Sequence, residues 1–127
     1  MSLADDTQWM DATDQAALVR SGEVSAAELL DAALERIERL DPQLNALTFR
    51  WFDDARAAAA DAALPDGPFR GVPFLLKDLH AHFAGQPLSN GNAALREAAP
   101  RSARDTVLVG RFRAAGFVTA GRTNICE

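Results

Sequence analysis

A continuous apolar run, Val72-Pro73-Phe74-Leu75-Leu76, constrains the fold of this chain more than any other segment. A strand with one face in water alternates apolar and polar side chains, whereas a strand covered on both faces is apolar at nearly every position. The run therefore predicts a buried strand from Gly71 to Lys77, in a sheet with other layers packed against both of its faces.

Helical and strand-like segments alternate along the rest of the chain. Thr13 is expected to cap a short helix that ends at Ser21-Gly22, and Ser25-Ala26-Ala27-Glu28 has the form of a capping box that begins a second helix. Asp41-Pro42 is expected to end this second helix, because proline disfavours a helical conformation in the residue before it. The other expected elements are a strand at Asn45–Phe52, a helix from Asp53 to about Leu64, a long irregular loop at residues 79–104, a helix capped by Asp105 and ended by Gly116, and a strand at Phe117–Ala120. This order predicts an α/β fold with N-terminal helices and the strands of a mixed sheet.

Lys77, at the end of the apolar run, is the only lysine, and the other twelve of the thirteen Lys and Arg residues are arginine. Arginine keeps its proton in proteins, whereas a lysine removed from water can become a neutral amine and act as a base. The pattern therefore indicates a site that needs a removable proton, with the Lys77 amine largely removed from solvent. Asp78 is expected on the opposite face of the strand. A general preference for arginine would leave the same pattern with no function at Lys77.

Few other residues have the chemistry of a catalytic or metal site. Ser89 and Ser102 lie in the expected loop and are weak candidates for a nucleophile. His80 and His82 would need a carboxylate as a third metal ligand, so we expect loop histidines without a metal. Cys126 is expected in the core, because no base or positive neighbourhood accompanies it. We expect no cofactor, since no glycine-rich phosphate loop is present.

Length and charge limit the classes of function. A chain of 127 residues fits one modest domain, and its net charge of −5 argues against nucleic acid or an anionic membrane as partner. A single cysteine excludes an internal disulfide and fits the cytoplasm, where we expect the protein. Residues 1–66 hold fourteen acids and five bases, and residues 67–127 hold four acids and eight bases. This asymmetry indicates a solvated acidic half and a half that faces other protein, although chance clustering is an equal alternative.

Four groups of motifs follow one another along the chain. They are Ser25-x-x-Glu28-Leu29 with Asp41-Pro42-x-x-Asn45-Ala46; Gly71-x-Pro73-x-x-x-Lys77-Asp78; Asp105-Thr106-x-x-Val109 with Arg111-Phe112-x-x-Ala115-Gly116; and Gly121-Arg122-Thr123-Asn124-x-x-Glu127. In this order and spacing they resemble the N-terminal part of the amidase signature family, whose G-K-T-N-x-x-E turn has lysine where this chain has Arg122. The resemblance covers residues 13–127.

The resemblance implies an amide-bond hydrolase with a Ser–cis-Ser–Lys triad, in which Lys77 is the base. It also implies that the two serines and the oxyanion-binding amides come from a segment that follows the T-N-x-x-E turn. Residues 1–127 are therefore expected to be the N-terminal portion of a single amidase-type domain, inactive alone. The expected substrate of the whole enzyme is a small linear or cyclic amide.

Two alternatives stay open beside the amidase. One is the glutaminase-type subunit of a tRNA-dependent amidotransferase, which belongs to the same family and needs partner subunits. The other is a non-catalytic remnant that binds another protein or forms a homo-oligomer. The sequence beyond Glu127 would separate these readings, because a glycine- and serine-rich continuation restores an enzyme and a stop codon favours the remnant.

Overall fold

A mixed three-stranded sheet forms the centre of the molecule in a computed structural model that describes residues 2–126. Its strands are β1 (Leu47–Arg50), β2 (Pro73–Lys77) and β3 (Val118–Thr123), in the spatial order β1-β3-β2. The middle strand β3 pairs antiparallel with β1 and parallel with β2. Both pairings contain a register shift, so the side chains of β3 change their alignment along the sheet.

Six helices complete the described part of the chain. They are α1 (Leu3–Thr7), α2 (Ala12–Ser21), α3 (Ala26–Leu44), α4 (Phe52–Ala60), α5 (Ala93–Ala98) and α6 (Val107–Ala114). The predicted α/β class with N-terminal helices and a mixed sheet is therefore confirmed. Helix α1, with a capping box between Ser2 and Asp5, is not among the sequence predictions. Helix α2 is capped by Asp11 rather than by Thr13.

The predicted end of helix α3 at Asp41-Pro42 is wrong, because the helix continues to Leu44 with Pro42 inside it. Proline removes one helical N–H, but local hydrogen bonds outweigh its effect here. Asn45, in the left-handed conformation, donates its backbone N–H to the Asp41 carbonyl at 2.7 Å. The Asp41 carboxylate accepts from the backbone N–H of Ala46 at 2.6 Å. The start of the helix is as predicted, with a capping box between Ser25 and Glu28.

The segment after α3 also differs from its prediction. Strand β1 is shorter than Asn45–Phe52, because Asn45 closes α3 and Phe52 already begins α4. Trp51, between the two elements, is buried and donates its indole N–H to the Thr119 carbonyl at 2.7 Å. Helix α4 ends at Ala60 instead of near Leu64, because Asp61 turns to an extended conformation.

Two apolar clusters hold the helices against the sheet. The first joins α3, α4 and β3, and its buried members are Leu30, Leu34, Ala55, Ala59, Val118 and Ala120. The second joins the end of β2 to α6 and consists of Leu76, Ala81 and Val109, with three phenylalanines packed against it. The prediction of a strand buried throughout is only partly correct. Leu76 is fully buried, but Phe74 and Leu75 are half-buried, since β2 is an outer strand of the described sheet.

The prediction of a long irregular loop at residues 79–104 is only partly correct. This segment contains the short helix α5, whose N-cap is Asn92. Two isolated bridges, Ala84 with Ser102 and Pro87 with Arg101, hold its two arms together. No helix within residues 2–126 combines the length and the apolar character that crossing a bilayer requires.

Candidate active site

Lys77 is the last residue of β2, and the surrounding structure fixes its backbone. It pairs with Thr123 in the parallel ladder between β2 and β3. Its carbonyl accepts a hydrogen bond from Arg122 Nη1 at 3.3 Å. The next backbone N–H, of Asp78, donates to the Thr123 carbonyl at 3.0 Å. The position of the Lys77 Cα is therefore set from the neighbouring strand.

The side chain of Lys77 is exposed, so the prediction that its amine is largely removed from solvent is wrong for residues 2–126. The apolar run before it lies in an outer strand, and nothing in the described part of the chain covers the side chain at its end. An apolar run in sequence does not determine the burial of the residue that follows it. Residues 2–126 therefore do not supply the burial that would favour the neutral form of the Lys77 amine.

Asp78, the residue after β2, is fully buried, whereas Lys77 is exposed. Its carboxylate accepts hydrogen bonds from the backbone N–H groups of Ser89 at 2.8 Å and Gly91 at 3.2 Å, and from the Ser89 hydroxyl. A further hydrogen bond within the loop runs from the His80 backbone N–H to the Asn90 side-chain oxygen at 2.9 Å. Asp78 thus anchors the loop to the end of the strand that carries Lys77.

Arg122 is the largest fully buried side chain of the described residues. Its Nε donates to the Pro87 carbonyl at 2.6 Å, and Nη1 donates to the Lys77 carbonyl. The guanidinium lies 5.7 Å from the centre of the Trp51 ring. Burial lowers the pKa of the Arg122 guanidinium, and the charge of Asp78 opposes this effect. No role is predicted for Arg122 from sequence. Its place two residues after the expected apolar strand Phe117–Ala120, inside the observed β3, is the signal that could have indicated its burial.

The remaining candidates do not form a site around Lys77. Ser89 is buried and bonded to Asp78, and Ser102 lies 2.9 Å from His82 Nδ1 across the loop. His80 and His82 lie in the loop, and residues 2–126 contain no group of three or more possible metal ligands. Cys126 is exposed, so its predicted place in the core is wrong. Glu127 lies outside the described residues.

The fold and these motifs coincide with those of a known enzyme family. The profile of the Amidase family matches residues 28–127, and the chain belongs to this family. The chain is 43% identical over 119 residues to 6-aminohexanoate-cyclic-dimer hydrolase of Paenarthrobacter ureafaciens, a match that covers 94% of this chain and 24% of that protein. The chain therefore spans about a quarter of the length of the curated relatives it matches.

Solved structures agree with the sequence comparison. A structure of 6-aminohexanoate cyclic dimer hydrolase superposes with a TM-score of 0.85 at 43% identity, over 94% of this chain and 24% of that one. A bacterial aryl acylamidase of the amidase signature family superposes with a TM-score of 0.83 at 31% identity, over 94% of this chain and 26% of that one. The predicted resemblance to the N-terminal part of amidase signature enzymes is confirmed.

Proposed function

We propose that this chain is the lysine-bearing N-terminal portion of an amidase-type domain and that Lys77 is the base of its Ser–cis-Ser–Lys triad. One observation carries the proposal: the only lysine of the chain stands at the end of a strand, with its backbone fixed by Arg122 and Thr123 and its side chain free. This arrangement suits a group that reaches out to a reaction centre. It does not suit a cation that pairs with a neighbour.

The chemistry assigned to Lys77 is proton transfer. As a neutral amine it takes the proton of a bridging serine, which in turn takes the proton of the nucleophilic serine as that oxygen attacks the amide carbon. The proton then returns to the leaving amine when the C–N bond breaks. We assign both serines to a segment downstream of Glu127, and we expect residues 1–127 alone to hydrolyse no amide.

The same downstream part is proposed to remove Lys77 from water. Desolvation disfavours the ammonium form of a lysine and prepares it to act as a base. The exposed side chain and the outer position of β2 leave room for another layer of the domain to pack over this end of the strand. Burial of Lys77 in the whole protein is therefore part of the proposal.

The proposed substrates are small linear or cyclic amides, and the proposed compartment is the cytoplasm. The first follows from relatives whose names specify a cyclic amide dimer and an aryl acylamide. The second follows from the single cysteine, which fits a reducing compartment.

The first test is to read the coding frame beyond Glu127 and to assay the full-length protein. We expect a frame that continues into a glycine- and serine-rich segment, and hydrolysis of 6-aminohexanoate cyclic dimer or of a simple anilide. Hydrolysis of glutamine only in the presence of partner subunits would favour an amidotransferase subunit. A stop codon after Glu127 would contradict the proposal and favour a non-catalytic remnant.

A further inference from the structure

The buried guanidinium of Arg122 joins three separate parts of the structure. Its Nε reaches Pro87 in the loop, its Nη1 reaches the carbonyl of Lys77 at the end of β2, and its plane lies near the ring of Trp51 at the start of α4. Burying a charged group is costly unless it is well bonded. Nη2 of Arg122 is buried without a hydrogen-bond partner among residues 2–126, so the bonding is incomplete.

An apolar side chain of similar length would fill the same space without this cost, because buried ionic groups often contribute less to stability than well-packed apolar ones. An apolar residue would lose the attraction to the buried Asp78 carboxylate and the contact with the Trp51 ring, and it would also lose the hydrogen bonds to two backbone carbonyls. One of these belongs to Lys77 itself, and the other belongs to the loop that Asp78 anchors beside it. The Arg122 guanidinium therefore lies where its hydrogen bonds fix the backbone of Lys77, the proposed base.

We propose that Arg122 is a positioning residue for Lys77. It fixes the Lys77 carbonyl and the Pro87 carbonyl relative to each other, and through them the point from which the Lys77 side chain extends. The inference rests on the proposed function of Lys77. Its physical basis is that proton transfer requires donor and acceptor within hydrogen-bond reach, so that a displacement of about 1 Å costs about 10²-fold in rate.

The test compares Arg122→Met and Arg122→Lys in the full-length protein, with kcat expressed per folded molecule counted from the amplitude of the cooperative unfolding transition. For Arg122→Met we expect kcat to fall about 10- to 100-fold with KM changed less than about twofold. Arg122→Lys keeps a charged donor and is expected to lie between Arg122→Met and the wild type. A purely structural arginine would lower the number of folded molecules and leave kcat per folded molecule unchanged.

Arg113→Met is the matched control, because Arg113 also lies over an aromatic ring, Phe83, at 4.5 Å, but bonds to Asp105 and is partly exposed. We expect its kcat per folded molecule to equal that of the wild type. If Arg122→Met does not fold, the uncharged Arg122→Gln decides: a reduced kcat at unchanged KM supports the inference, and a wild-type kcat overturns it. Lys77→Ala separates the two proposals. An inactive Lys77→Ala beside a fully active Arg122→Met overturns only the inference, whereas an active Lys77→Ala overturns the proposed function.

Discussion

Lys77 and Asp78 are neighbours in sequence with opposite environments. The alternation of a strand predicts that they point to opposite faces, and the exposure of Lys77 and the burial of Asp78 agree with this prediction. The identity of the candidate base and its place at a strand end could also be predicted from sequence. Its exposure could not, because the burial of a side chain depends on elements distant in sequence. The burial of Arg122 could not be predicted from sequence for the same reason.

Asp41 illustrates a single residue that stabilises a junction. Burial acts to raise the pKa of its carboxyl, but hydrogen bonds from the backbone N–H of Ala46, from Arg50 and from the N–H of Leu47 hold the pKa below the ordinary value of 3.8. A lowered pKa in the folded state means that the charged form stabilises the fold. This stability is complete above the ordinary pKa and is lost as the pH falls through the folded-state pKa.

We predict that Asp41→Asn destabilises the chain at pH 7 and that its difference from the wild type shrinks as the pH falls below about 4. The reason is that the amide group of asparagine would face the Arg50 guanidinium, donor against donor. Urea unfolding at several pH values and one protein concentration measures the effect. Asp31→Asn, which removes an exposed ion pair with Arg56, is the control and is expected to change little. An Asp41→Asn difference that does not depend on pH would contradict this account.

At the scale of elements, helix α3 has a start that a local pattern predicts and an end that it does not. The capping box at Ser25 specifies the start of α3 through two short-range hydrogen bonds, so its sequence is sufficient. The end of α3 depends on the Asp41 carboxylate and on the left-handed Asn45, and these outweigh the preference imposed by Pro42. The register shifts of β3 likewise follow from pairing with two different strands, and no single segment encodes them.

Gly121 tests the pairing of β3 with β1. A Cβ atom at this position would lie 2.4 Å from the Phe49 carbonyl oxygen, closer than any side chain allows. We predict that Gly121→Ala destabilises the fold by about 1–3 kcal/mol, because the two strands must move apart. Urea unfolding measures the change.

Gly110→Ala is the matched control, since Gly110 lies inside α6 with nothing within 4 Å of a Cβ atom. Alanine favours a helix interior over glycine, so this change is expected to stabilise by about 0.5–1 kcal/mol. Equal effects of the two substitutions would show that the close approach of β1 and β3 does not require glycine at position 121.

At the scale of the whole molecule, the described part of the chain leaves apolar groups and strand edges uncovered. Trp9, Leu44 and Val107 are 89%, 66% and 74% exposed, and the outer edges of β1 and β2 pair with no further strand within residues 2–126. Exposed apolar patches and open edges promote association. These features agree with the proposal that the chain is part of a larger domain.

We therefore predict that residues 1–127, produced alone, self-associate, with the less acidic residues 67–127 at the contact. Sedimentation velocity over a range of concentrations measures this. A stable monomer with one cooperative unfolding transition would show a self-sufficient domain and would favour the non-catalytic remnant.

The central claim is that Lys77 acts by giving up a proton, and Lys77→Arg in the full-length protein tests it most directly. Arginine keeps the positive charge and a similar length but cannot become a neutral base. The measurement is kcat per folded molecule for amide hydrolysis by Lys77→Arg, Lys77→Ala and the wild type. We predict that both variants lose at least about 10²-fold in kcat. Substantial activity in Lys77→Arg with an inactive Lys77→Ala would show that Lys77 is only a structural cation.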